Sequence, residues 1–355
     1  MRAAIVTGAF PPSQEPVATT VKHLVDEAVR RGHRPLVLAP GLGPASYRGV
    51  RIVRMRPNDV ATLSRELDAF RPDLVHVADP RLVGPGPLRV ARRLGLPTVV
   101  SIHSAGSGRV GDWRGSLAAA GADRTLVTCL AAQERLARAG VAANLWRPGV
   151  DTDLFDPSMR SAPLVDKWSR GGRLVVGHIG PVDKPNVFRR LVEVGRLPGI
   201  RLVVVRAGTG ADRLRAKVPG AKVLGDISGV DLAHAVASYD VLVQPRTKDL
   251  DCHGVRRALA SGVPVVGLAT GGITDLVADG VNGLLLDPDQ PHALHAGVER
   301  LRGDPGLRAR LAGRARESVA VRTWADAVDE LVEVHWAALR TSHLGRTAVA
   351  PGGLP

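Results

Sequence analysis

The residues best suited to chemistry in this chain are glycine loops set beside aliphatic runs. Ala258-Leu-Ala-Ser-Gly-Val-Pro-Val-Val266 is followed by Thr270-Gly-Gly-Ile-Thr-Asp-Leu-Val277 and then by Asp279-Gly-Val-Asn-Gly-Leu-Leu285. The pattern reads as helix, glycine stop, buried strand, glycine loop, short helix and turn. A Gly-Gly loop opening a helix leaves backbone N–H groups unpaired, and such groups suit phosphate. Packing and turn geometry explain most loops of this kind. The second feature is Arg147-Pro-Gly-Val-Asp-Thr-Asp-Leu-Phe-Asp-Pro157. Its Pro and Gly set a turn, and Asp151 and Asp153 can satisfy exposed amides. From the residues alone it is a well-built link.

Other chemistries find little support. Cys129 and Cys252 are far apart and form no CxxC pair, so neither a metal site nor a disulfide framework is expected. This cysteine usage fits a reducing cytosol. His292 and His295 are spaced i,i+3 but lack a third ligand candidate nearby, and they read as surface residues. No metal or cofactor is expected.

The chain that must position these loops has 355 residues, long enough for two domains. It is 45% hydrophobic, with mean hydropathy +0.03 and only 3% aromatic residues, so its cores should be aliphatic. Its net charge is +14 and its pI about 11.0. No block of five or six like charges occurs, which argues against a nucleic-acid tail. The general basicity is compatible with phosphorylated substrates or an anionic membrane surface. No run of eighteen apolar residues occurs, so no transmembrane helix is expected. The apolar run near Met1 is too short for a secretory signal and reads as a first strand. The expected location is cytoplasmic, with peripheral contact at the inner membrane face.

Aliphatic strands and helical patterns alternate along the chain. Strands are expected at Ala4–Thr7, Leu36–Ala39, Val50–Arg54, Leu74–Val77, Thr98–His103 and Thr125–Val127, and helices around Pro87–Leu94 and Ala131–Ala139. Val21, Leu24, Val25, Ala28 and Val29 share one helical face before Gly32. Residues 147–173 are rich in Pro and Gly and read as the interdomain link. The rhythm restarts with strands at Leu174–Ile179, Leu202–Val205, Lys222–Leu224, Val241–Val243, Val265–Gly267 and Leu284–Leu286. Near-continuous aliphatic strands are those of parallel sheets buried on both faces. The expectation is an α/β protein of two doubly wound lobes, whose C-terminal strand ends frame a ligand cleft.

Taken together, the junction and the glycine-loop run resemble the retaining glycosyltransferases of family 4 (group 1), which have the GT-B fold. The opening Met1 to Arg56, with Arg31-Gly-His33, and the run Phe70-Arg-Pro-Asp-Leu-Val-His76 are most similar to the actinobacterial branch that uses GDP-mannose. The resemblance covers nearly the whole chain. It implies an acceptor-side lobe at 1–165, a nucleotide-sugar lobe at 166–322, a helix at 323–341 crossing back to the first lobe, and a frayed tail at 342–355. It also implies that basic residues and backbone amides hold the donor diphosphate without a metal.

Site residues follow from the same resemblance. Within Gly177-His-Ile-Gly-Pro-Val-Asp-Lys184, Gly180 opens the loop and Lys184 matches the diphosphate lysine, while Pro181 stands where the family has arginine. Of two family glutamates eight positions apart, the first falls on Asp249 and the second on Arg257. A guanidinium has donors but no acceptor, so Arg257 cannot receive ribose hydroxyls, although it can contact a phosphate oxygen. Losing such a charged acceptor costs about 1.5–3 kcal/mol, or roughly ten- to a hundredfold in affinity. Cys252, His253, Gly254 and Val255 match the loop whose amides approach the donor. In the first lobe Pro16 replaces a glycine and offers no N–H, and Thr19 at the helix start can donate instead. His103 matches a histidine near the transferred sugar, and the glycine-rich stretch Ser104–Gly115 looks short for an acceptor loop.

Two functions follow. The first is a retaining transfer of a sugar, mannose in the closest branch, from GDP-mannose or a UDP-sugar to a hydroxyl of a lipid-linked glycan or small metabolite. The second is a catalytically retired protein of the same fold, kept as a binding or partner subunit. The three departures at Pro16, Pro181 and Arg257 motivate the second.

Overall fold

The structure, a computed structural model, describes residues 1–13, 15–57, 59–103 and 121–339. The stretch 104–115 and the tail 342–355 singled out above lie outside the described residues. The chain divides into two units, Met1–Pro148 together with the segment from Trp324 onward, and Gly149–Thr323.

The sheet of the first unit contains β1 (Arg2–Thr7), β2 (Arg34–Ala39), β3 (Ser46–Tyr47), β4 (Val50–Arg54), β5 (Leu74–Ala78), β6 (Thr98–Ile102), β7 (Arg124–Val127) and β8 (Asn144–Leu145). They lie in the order β3-β4-β2-β1-β5-β6-β7-β8, and all neighbours are parallel except the β3–β4 pair. The winding reverses between β1 and β5, the kind of switch point at which open α/β sheets hold ligands. Parallel neighbours need helical crossovers, and the helix Pro16–Arg30 supplies the one from β1 to β2. Its buried residues include Val21, Leu24, Val25 and Ala28, the face its spacing predicts.

The helix that begins at Trp324 packs on this same unit. Arg31 donates to the carbonyl of Ala325 and pairs with Asp329. The Trp146 indole N–H donates to the Ala327 carbonyl at 2.7 Å, and His23 stacks on Trp324 at 4.6 Å. Over Leu331–Trp336 the helix widens to a π-helical stretch, which the periodicity did not signal.

The sheet of the second unit contains β9 (Leu174–Ile179), β10 (Ile200–Val205), β11 (Lys222–Leu224), β12 (Val241–Gln244), β13 (Val265–Leu268) and β14 (Gly283–Leu286). It is parallel throughout, in the order β11-β10-β9-β12-β13-β14, with its switch point between β9 and β12. Leu202 and Val204 enter one hydrophobic core, whereas Val203 and Val205 enter another. Alternate residues of one strand thus bury opposite faces, which is why these strands read as unbroken aliphatic runs.

The domain boundary falls at Pro148–Gly149 rather than at 165–166, and residues 149–173 are part of the second unit. The reason is burial. Phe155 and Trp168 enter the second unit's core, where Trp168 stacks beside Tyr239. Arg316 ties the segment down by donating to the carbonyls of Thr152 and Phe155 and pairing with Asp156 at 2.9 Å. Its prolines and glycines mark turns of a packed segment.

Candidate functional site

In the second unit, strand ends and glycine contacts assemble a basic edge. Gly180 follows β9 with φ of 133°, a conformation that favours glycine. A Cβ there would stand 3.6 Å from Arg246 Nη1 and 3.9 Å from His178 Nε2. The loop beyond it is pinned. The Val182 N–H donates to the Ala207 carbonyl, and the Asp183 carboxylate accepts from the Gly210 N–H and the Thr209 hydroxyl. Lys184, at the end of that loop, is exposed and directly precedes the helix Pro185–Gly195.

Burial governs the ionisation of this edge. His178 is fully buried, its Nδ1 donates to the Val243 carbonyl at 3.1 Å, and desolvation pushes its pKa down to about 4. Its enclosed Nε2 lies close to the Gly180 backbone. Arg257 is half-buried over the Phe155 ring at 5.3 Å. Burial first, and then Arg206, bring its pKa down to about 10, with Asp151 opposing. Arg206 closes β10 with φ of 58°, a strained conformation for a side chain of this size.

Asp249 shapes the loop ahead of the helix His253–Ala260. Its carboxylate accepts from the Cys252 N–H at 3.0 Å and from Gln244 Nε2 at 3.1 Å. A carboxylate has about four lone-pair sites, so each oxygen retains capacity for a ligand. Cys252 is a packed thiol whose Sγ points to the Asp249 carbonyl. His253 is buried beside Asp251, Gly254 passes over Ile179, and Val255 is fully buried. Burial lowers the His253 pKa despite Asp251.

The Gly271-Gly272 pair serves a different end from the one its composition suggests. The Gly272 N–H is spent on the Asp249 carbonyl at 2.9 Å, and a Cβ on Gly272 would sit 2.1 Å from the Leu250 carbonyl oxygen. The glycines let two backbones touch, which sets the Asp249 loop rather than leaving a free amide there.

In the first unit His103 follows β6 and is buried. Its Nε2 meets the Ser101 hydroxyl at 2.8 Å, and the same hydroxyl meets His76 Nε2 at 2.8 Å. Residues 101 and 103 share a sheet face with Val99, the register partner of His76, so three polar side chains line up on one face. Burial, aided by His103 and His335, pushes the His76 pKa down to about 3. Thr19 lies half-buried on the helix Pro16–Arg30. His292 sits beside Glu193 at 3.4 Å, and the described residues contain no cluster suited to a metal ion.

The second unit therefore gathers Gly180, Lys184, Asp249 and Arg257 around one sheet edge, together with Arg206 and Arg246, which motif reading did not reach. Residues 253–255, expected as loop, are the first turn of the helix His253–Ala260, with Cys252 as its cap. Arg206 directly follows β10 and Arg246 lies two residues beyond β12, the one signal that could have found them. His103 and Thr19 belong to the first unit. No described helix is long and apolar enough to cross a membrane.

Comparison with known proteins gives a consistent answer. Residues 17–154 match the family described as Glycosyltransferase Family 4, and residues 176–318 the one described as Glycosyl transferases group 1. The chain is 35% identical to a GDP-mannose-dependent alpha-mannosyltransferase of Mycolicibacterium smegmatis, over 94% of this chain and 96% of the relative. A protein of the same description from Mycobacterium tuberculosis is 34% identical, over 96% and 97%. Among solved structures, sucrose-phosphate synthase from Thermosynechococcus elongatus superposes with a TM-score of 0.79 at 17% identity, over 96% and 99% of the two chains. Anabaena HepE in complex with UDP gives 0.76 at 18% identity, over 95% and 100%. At these identities the structural likeness speaks to the fold.

Proposed function

The chain belongs to the GT-B glycosyltransferases, family 4 in its first half and group 1 in its second, and we propose that it moves mannose from GDP-mannose to a hydroxyl acceptor with retention of configuration. The observation that carries the donor assignment is the 35% identity, over nearly the full length of both chains, to a relative described as GDP-mannose-dependent. The basic edge of the second unit supports it, because a leaving diphosphate needs cations.

In the proposed reaction the bond from the anomeric carbon to the diphosphate oxygen breaks, and its electron pair stays on the diphosphate. The acceptor oxygen bonds to the anomeric carbon and loses its proton. Lys184, Arg257, amides of the Gly180 loop and amides of residues 252–255 at the start of the helix His253–Ala260 would stabilise the departing charge, in place of a metal. Asp249 would orient the sugar through its spare lone pairs. A lipid-linked glycan is the acceptor class that best suits a chain of net charge +14, which favours peripheral contact with anionic membrane.

Calorimetry with GDP, UDP and their mannose and glucose conjugates tests the reading. Binding of GDP and GDP-mannose is expected, with transfer to a hydroxyl acceptor. A folded protein that binds none of them at millimolar ligand would overturn it and favour the retired-subunit alternative. Arg257→Glu sharpens the assignment, since weakened donor binding is expected if Arg257 meets phosphate. Gained binding would instead mark Arg257 as a lesion in the site.

A further inference from the structure

Four guanidinium groups crowd the basic edge of the second unit, and three of them already have protein partners. Arg190 donates to the Pro245 carbonyl at 2.9 Å. Arg206 reaches the Ile227 carbonyl at 3.5 Å, with Asp226 alongside. Arg257 lies over Phe155 and feels Asp151. Arg246 alone of the four is half-buried with neither a hydrogen bond nor an ion pair among the described residues. A partly desolvated cation that lacks an acceptor is costly, and a ligand anion removes the cost.

The place it points to is defined. The Nη1 atom of Arg246 stands 3.6 Å from where a Gly180 side chain would begin. The enclosed Nε2 of His178, a residue 1% exposed, lies 3.9 Å from the same point, close to the Gly180 backbone. The accessible group on this space is thus a cation, which suits anionic oxygens. The floor is rigid, because the loop from Gly180 to Lys184 is pinned through Val182 and Asp183. Lys184, likewise without a hydrogen bond or ion pair among the described residues, ends that loop.

We propose that Arg246 is a phosphate-binding residue, reaching across Gly180 to an oxygen of the donor diphosphate and sharing its charge with Lys184. The cation comes from just beyond β12, the strand across the switch point from β9. This inference rests on the nucleotide-diphosphate reading above.

The test is calorimetry on the full chain with GDP, UDP and guanosine, for the wild type, Arg246→Ala and Arg246→Gln. The Ala variant should bind the diphosphate ten- to a hundredfold more weakly, with a shallower salt dependence. Guanosine, which has no phosphate, should be affected less than threefold, and the thermal midpoint should stay within about two degrees, because Arg246 has no protein bond to lose. Should the Ala variant unfold, Arg246→Gln preserves side-chain bulk without the charge and should show the same loss of diphosphate affinity. Equal diphosphate affinity in wild type and variants overturns the inference and leaves the transfer reading intact. A wild type that binds no nucleotide overturns the transfer reading and the inference with it.

Discussion

The two sheets differ in how polar groups near their strand ends are satisfied. In the first unit, His76, Ser101 and His103 form a buried chain of short hydrogen bonds, and His76 is held neutral. In the second unit the strand ends and the loop after β9 carry Lys184, Arg206, Arg246 and Arg257, two of which have no hydrogen bond or ion pair among the described residues. The sheets share a parallel, doubly wound architecture with one switch point each, so the fold does not dictate the difference. Side chains at strand ends do. On the proposed reading a charged ligand completes the cations of the second unit, whereas the first unit's neutral groups satisfy one another.

The severest test of this contrast targets the scaffold of the charged edge. Gly272→Ala would drive a Cβ to 2.1 Å from the Leu250 carbonyl oxygen, and backbone there cannot yield cheaply. A loss of about 3 kcal/mol is expected in urea unfolding, with donor binding lost as the Asp249 loop shifts. Unchanged stability would show that the loop is not set by backbone contact.

Acidification should strike both edges. His76 and His178 have folded pKa values near 3 and 4, against an ordinary 6.5. A depressed histidine pKa contributes stability that is full above pH 6.5 and is lost as the pH falls toward the folded value, because only the unfolded chain takes up the proton. Between pH 7 and pH 5 each should cost about 2 kcal/mol. His178→Asn, which can keep a donor toward the Val243 carbonyl, should remove the second unit's share from the pH profile of unfolding.

A smaller effect is expected from Ser101→Ala, which leaves two buried imidazole nitrogens without their shared hydroxyl. It should destabilise the protein by about 1.5 kcal/mol and leave GDP affinity unchanged, since the chain belongs to the first unit. A comparable fall in GDP affinity would break the division of labour between the edges. The smallest change in stability is expected for Lys184→Ala, below about 0.5 kcal/mol because the side chain is exposed. Its GDP affinity should nevertheless fall roughly tenfold.

Much of the architecture was legible because it follows from local chemistry. Leu202–Val205 had to be a strand buried on both faces, since alternate residues are all aliphatic, and the structure divides them between two cores. The glycine-stopped helix before β2 was equally plain. The domain boundary was not, because Pro and Gly mark turns in a packed segment and a linker alike. Only the burial of Phe155 and Trp168 distinguishes them. The first-unit chain did leave a trace, polar residues at His76, Ser101 and His103 within or closing otherwise aliphatic runs.

By itself, the sequence determined the class of fold, the repeated doubly wound plan, the family and the loops that carry Lys184 and Asp249. These depend on periodicity, on glycine placement and on motifs contiguous in the chain. Tertiary structure decided what the glycines are for and which cations stand together. The Gly272 amide is spent on Asp249, and Arg246 reaches Gly180 from a strand more than sixty residues further along the chain. Hydrogen-bond partners and desolvation depend on neighbours in space, and a neighbour that arrives through sheet order has no spacing in sequence to reveal it.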